Sequence, residues 1–112
     1  MNFPTRIKRD SGKKDAGKRS PAHRKWVRGF HCCACGTATA IECAHVRVGT
    51  DGGVGIKPSD RWTIPLCKGC HTRQHQLGEE SFEKEAGINM KAIAEQLFKL
   101  SPHRGKLEVD RG

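Results

Sequence analysis

Two Cys-x-x-Cys pairs, Cys32-Cys33-Ala34-Cys35 and Cys67-Lys68-Gly69-Cys70, constrain this chain more than any other feature. A chain of 112 residues, 35% of them hydrophobic, has room for one domain whose apolar core is small for its surface. Such a domain needs a covalent or metal staple. In each pair, two intervening residues let a tight turn point both sulfurs at one tetrahedral ion. Met1 to Arg28 contains no apolar run long enough for a signal peptide, and no later segment is long enough to span a bilayer, so a cytoplasmic protein is expected. Thiols stay reduced in that compartment, which favours a metal over a disulfide framework. Cys32, Cys35, Cys67 and Cys70 are therefore expected to close a structural zinc site, with residues 36–66 folded or looped between the pairs. Cys33 and Cys43 remain as free, buried thiols.

The formal charge of +9 is concentrated at one end. Residues 1–28 carry Arg6, Lys8, Arg9, Lys13, Lys14, Lys18, Arg19, Arg24, Lys25 and Arg28 against Asp10 and Asp15. Beyond them the two signs nearly cancel. A basic arm of this kind neutralises phosphates and releases counterions, so DNA is the favoured partner, joined by Arg47 and Lys57 farther along. A merely solubilising terminus is the plainer reading of the same charge.

Composition divides the chain into a flexible basic arm over residues 1–22, a folded domain over 23–101 and a tail over 102–112. Trp26, Val27 and Phe30 are the first apolar anchors. Thr37 to Val48 predicts a short strand pair or one bent strand around His45, and Trp62 to Leu66 a second strand. Between them the glycine-rich run 49–60 is a loop that lacks the spacing of a nucleotide phosphate loop. A helix is expected beyond Cys70 and ends at Gly78. A second fits Glu79 to Ala86, closed by Gly87. Asn89 caps a third, whose Met90, Ile93, Ala94, Leu97 and Leu100 recur at helical spacing as core until Ser101-Pro102.

His71 and His75 are four apart, so on a helix they share a face and can share a metal. The spacing is that of a metalloprotease helix, but Thr72 stands where the water-activating glutamate belongs, which argues against a peptidase. Two histidines on an exposed face are by themselves more often polar surface; their place directly after a cysteine pair favours the metal reading. His45 stands at a strand end, where a neutral imidazole can deprotonate a water within hydrogen-bond reach.

The succession of Cys43-Ala44-His45-Val46-Arg47, the Gly52–Lys57 loop with Asp60, and Pro65-Leu66-Cys67 through His75 resembles the ββα-metal fold of HNH endonucleases. It is most similar to the recombination-enhancement (Ref-like) nucleases of phages and prophages, over about residues 26–95. The resemblance implies an α+β ββα-metal domain, with C-terminal helices and a four-cysteine zinc site, that hydrolyses DNA phosphodiesters in recombination or processing. By the same resemblance His45 is the general base and His71 and His75 hold a catalytic divalent cation, Mg, Mn or another transition metal. Two positions depart from the pattern. Ala44 replaces the Asp or His that ligates the metal beside the base, and Trp62 replaces the motif's Asn. Glu42 or Asp60 can substitute as ligand, or Asp60 can instead orient His45. A non-catalytic zinc-stabilised nucleic-acid-binding module, or an accessory protein acting through a recombination partner, is the competing expectation.

Overall fold

The computed structural model describes residues 19–50 and 58–109. Their elements run in the order α1 (Pro21–Val27), β1 (Ile41–His45), β2 (Thr63–Cys67), α2 (Lys68–Leu77), α3 (Glu79–Ala86), α4 (Met90–Leu100) and α5 (Arg104–Val109). The fold is thus a small mixed α and β domain built on a two-stranded antiparallel sheet. Its register pairs Ile41 with Cys67 and His45 with Thr63. One strand crosses the segment 37–48, not a pair, and among the described residues no helix is long and apolar enough to cross a membrane.

Strand alternation divides the work of β1. Ala44, and Val46 just beyond the strand, point into the core with Ile64, Leu66, Phe82, Met90, Ala94 and Cys32. Cys43 and His45, one step out of phase, face an open cleft instead. β2 is buried along Thr63 to Leu66, and Pro65, which has no N–H for the ladder, still offers its carbonyl to the Cys33 amide at 3.0 Å.

The helices begin and end where local chemistry dictates. The Cys67 side chain caps α2 by accepting from the Cys70 amide, so the helix starts at Lys68, before Cys70. Gly78 ends it with φ 88° and ψ 153°, a conformation open to glycine alone. Gly87 closes α3 in the left-handed conformation, and its amide and that of Ile88 both reach the Glu83 carbonyl, at 2.8 and 3.2 Å. Asn89 caps α4 through the Ala92 amide. The buried stripe of α4 is Met90, Ala94, Leu97 and Phe98. Leu100, expected in the core, lies at the stripe's edge and is 63% exposed.

Both ends of the described chain pack more than composition suggests. α1 begins inside the segment read as arm: Ser20 caps it through the His23 amide and Pro21 opens its first turn. Residues 1–18, with Arg6, Lys8, Arg9, Lys13, Lys14 and Lys18, lie outside the described residues, as does 51–57 with Lys57. The segment read as tail contains α5, whose Leu107 is 1% exposed. His23, fully buried, ties α1 to the end of α4 by a 2.8 Å bond from its Nδ1 to Ser101 Oγ.

Candidate functional site

Two constellations emerge, a thiol cluster at one edge of the sheet and a polar cleft against β1. In the cluster, Cys32 and Cys35 sit on a turn held by the Gly36 amide on Cys32 O (2.9 Å) and the Cys32 amide on Thr37 O (2.8 Å). Cys67 ends β2 and Cys70 lies in the first turn of α2. The four sulfurs all lie within 4.8 Å of one another, and Cys35 Sγ is 3.7 Å from Cys67 Sγ. A tetrahedral zinc with bonds of about 2.3 Å requires sulfurs about 3.8 Å apart, so the cluster fits such an ion. The Cys35 and Cys70 amides each approach the preceding sulfur of their pair at 3.4 Å. Burial opposes charge on Cys32, yet the amides of Cys67, Cys35 and Ala34 bring its thiol down to about 6. Cys70 moves up, through burial and the neighbouring sulfurs. A cluster that already favours one thiolate is suited to a cation. Among the described residues these cysteines are the group of three or more metal-ligating side chains whose donor atoms converge.

Cys33 and Cys43 are free but half-buried, not fully buried as expected. Burial, then the charge of Cys32, pushes Cys33 up to about 12, and burial also raises Cys43. Both are poor nucleophiles.

The cleft, of about 840 Å³, lies among α1, β1, α2 and the start of α3. His45 lines it, and so do His71, His75 and Glu42. Glu42 Oε1 lies 2.8 Å from His71 Nδ1. A carboxylate only accepts, so Nδ1 carries a proton, and in the neutral ring Nε2 is the nitrogen with the lone pair. His75 Nε2 lies 3.3 Å from that nitrogen. Two imidazole nitrogens about 2.0–2.1 Å from a common ion are separated by about 3–3.4 Å, so the pair fits a shared cation with Glu42 behind it as the orienting carboxylate. The same distance also suits a hydrogen bond from one ring to the other.

Asp60, 0% exposed, lies against His45. Its Oδ1 lies 2.8 Å from His45 Nε2 and 3.3 Å from Arg19 Nη1. Oδ2 accepts from the Ser20 amide at 2.8 Å and is 3.3 Å from Arg24 Nε, an ion pair without hydrogen-bond geometry. Burial opposes its charge, but His45, the Ser20 amide and Arg24 outweigh burial and hold the carboxyl below its ordinary range. Both Asp60 oxygens are engaged, and Asp60 is not among the residues that line the cleft with His71 and His75.

Of the basic residues expected at DNA, Arg24, Arg28 and Arg47 reach the cleft. Lys25 is exposed elsewhere on α1, and Arg19 bonds Pro58 O at 2.7 Å as well as Asp60. Ala44 is in the core, and Trp62 packs against the core with the Arg61 guanidinium 4.8 Å from its ring, so neither faces the cleft. Sequence reasoning missed Cys43, which strand alternation places beside His45, and Glu79. The Glu79 carboxylate accepts from the Arg47 amide at 2.9 Å and the Val48 amide at 2.9 Å, binding the start of α3 to the end of β1. No local signal announces that contact.

Residues 12–105 match the family described as a protein of unknown function, DUF968. The chain belongs to the DUF968 family. The matched span takes in the four clustered cysteines, His45, Asp60, His71 and His75, so thiol cluster and cleft both lie within the DUF968 region. No curated protein and no solved structure matches this DUF968 chain.

Proposed function

We propose that this DUF968 chain is a metal-dependent DNA endonuclease of the HNH type, in which the strand, strand, helix succession of β1, β2 and α2 serves as a ββα-metal site. The observation that carries the reading is the convergence of His45, the His71–His75 pair and Arg24, Arg28 and Arg47 on one cleft. The three guanidiniums suit a polyanionic backbone, for which they supply charge and bidentate hydrogen bonds. His45 takes a proton from a water molecule as its oxygen attacks phosphorus, and the bond to the 3′ oxygen breaks in line. His71 and His75 would hold the divalent ion, Mg, Mn or another transition metal. Such an ion, when bound, polarises the phosphate and stabilises the departing oxygen. The thiol cluster would hold a structural zinc that ties the turn at Cys32 to α2. Cellular work in phage or bacterial DNA recombination, with a recombination partner, follows from the Ref-like resemblance, and a cytoplasmic setting from the sequence expectation alone.

The burial of Ala44 favours a second reading, a zinc-stabilised module that binds nucleic acid without cutting it, because no ligand stands beside His45. Nicking of supercoiled DNA by zinc-loaded protein, with Mg, Mn, Co, Ni or Zn added in turn, separates the two. The nuclease reading expects divalent-dependent nicking that His71→Ala or His75→Ala abolishes while the cluster zinc remains by elemental analysis. Binding without nicking under every metal supports the module instead.

A further inference from the structure

Behind His45, outside the lining of the cleft, stands Asp60. A carboxylate with no exposure, at the end of the long connection between the strands, is contacted by four donors from two parts of the chain. The Asp60 backbone carbonyl accepts from Thr63 Oγ1 at 2.7 Å, and the preceding Ser59 carbonyl accepts from the Trp62 amide at 3.0 Å. An ionised carboxylate only accepts, so the imidazole nitrogen 2.8 Å away, Nε2 of His45, must carry the proton. The hydrogen bond made by one ring nitrogen fixes the role of the other.

We propose that Asp60 is a positioning residue that holds His45 through Nε2–H, so that Nδ1 is the nitrogen that receives the proton of the attacking water, and that the start of α1 clamps Asp60 in place. The clamp is Arg19, the Ser20 amide and Arg24, with Arg19 Nη1 also fixing the Pro58 carbonyl. The helix that presents Arg24 and Arg28 to the cleft is thereby joined through one carboxylate to the base. This inference rests on the nuclease reading for the role of His45, but the position of the proton is independent of it.

Two measurements test it on the whole 112-residue, zinc-loaded chain. Long-range 1H–15N spectra at about pH 8, above the ordinary imidazole range, are assigned by the loss of the His45 signals in His45→Ala. They should show protonated Nε2 and unprotonated Nδ1 in the wild type. Asp60→Asn replaces one acceptor oxygen with a donor amide and should shift the proton toward Nδ1. In that variant kcat should fall by about 10²–10⁴, the range a general base supplies, while DNA affinity stays within about twofold. A wild-type spectrum with the proton on Nδ1 overturns the proposal, and so does an Asp60→Asn protein with unchanged kcat. Should Asp60→Asn lose its cooperative melt, the wild-type spectrum decides alone. Absence of all metal-dependent cleavage removes the nuclease reading, whereas a misplaced proton removes only this one.

Discussion

His23 offers a stability measurement whose size follows from its surroundings. The ring is fully buried between α1 and the end of α4, with Nδ1 on Ser101 Oγ and, among the described residues, no partner for Nε2. Burial pushes it down from 6.5 to about 4, opposed by the nearby Asp60 charge and aided by His103. The folded imidazole therefore stays neutral to about pH 4, while the unfolded chain takes up its proton near 6.5. Between those values the unfolded state binds more protons, so the contribution of His23 is complete above pH 6.5 and is lost as pH falls to about 4. At about 1.4 kcal/mol per tenfold, that interval is worth about 3 kcal/mol. For a domain of this size the loss amounts to a fall in Tm of roughly 12–24 °C. Carboxylates elsewhere in the chain also change charge as pH falls, so the informative quantity is the difference between wild type and His23→Gln. Thermal melts at half-unit steps from pH 7.5 to 4 should show the variant curve flatter by about 3 kcal/mol. Parallel curves would refute the buried, neutral His23.

Cys67→Ser removes one thiolate and the cap of α2 together, and should leave the protein without its zinc and without a cooperative melt; zinc retained at one per chain by elemental analysis would count against the cluster. Arg28 and Arg47 line the cleft, and the double Gln substitution should reduce the slope of log affinity against log salt by about 1.8 on duplex DNA, since each phosphate contact contributes about 0.9. Between about 50 and 200 mM salt the variant should therefore lose about 12-fold less affinity than wild type, and an unchanged slope in fluorescence anisotropy would exclude both contacts.

Features with a local cause were legible in the sequence. The glycines at 78 and 87 and the Asn89 cap mark helix ends because backbone conformation and an orphan amide demand those residues, and the cysteine spacing marks a cluster because two turns suffice to build it. Basic composition concealed α1, although Ser20-Pro21 is a cap followed by the residue best suited to a first helical turn. α5 was missed because Leu107 and Val109, two residues apart among charges, set up no helical periodicity. The pairing of His45 with Asp60, fifteen residues apart across a glycine-rich loop, was open to sequence only as one of two roles. The choice depends on Ser20 and Arg24, which come from another part of the chain. Glu42 behind His71 likewise depends on how β1 lies against α2.

Cleavage by His45→Ala, measured beside its DNA affinity and zinc content, decides whether His45 acts as a general base. As a general base His45 contributes to the rate and little to ground-state binding or folding. Divalent-dependent nicking should fall by about 10²–10⁴ while affinity, melting and the cluster zinc stay at wild-type values. Undiminished nicking by His45→Ala, or its loss together with zinc or stability, would contradict the assignment of His45 as the base of a nuclease.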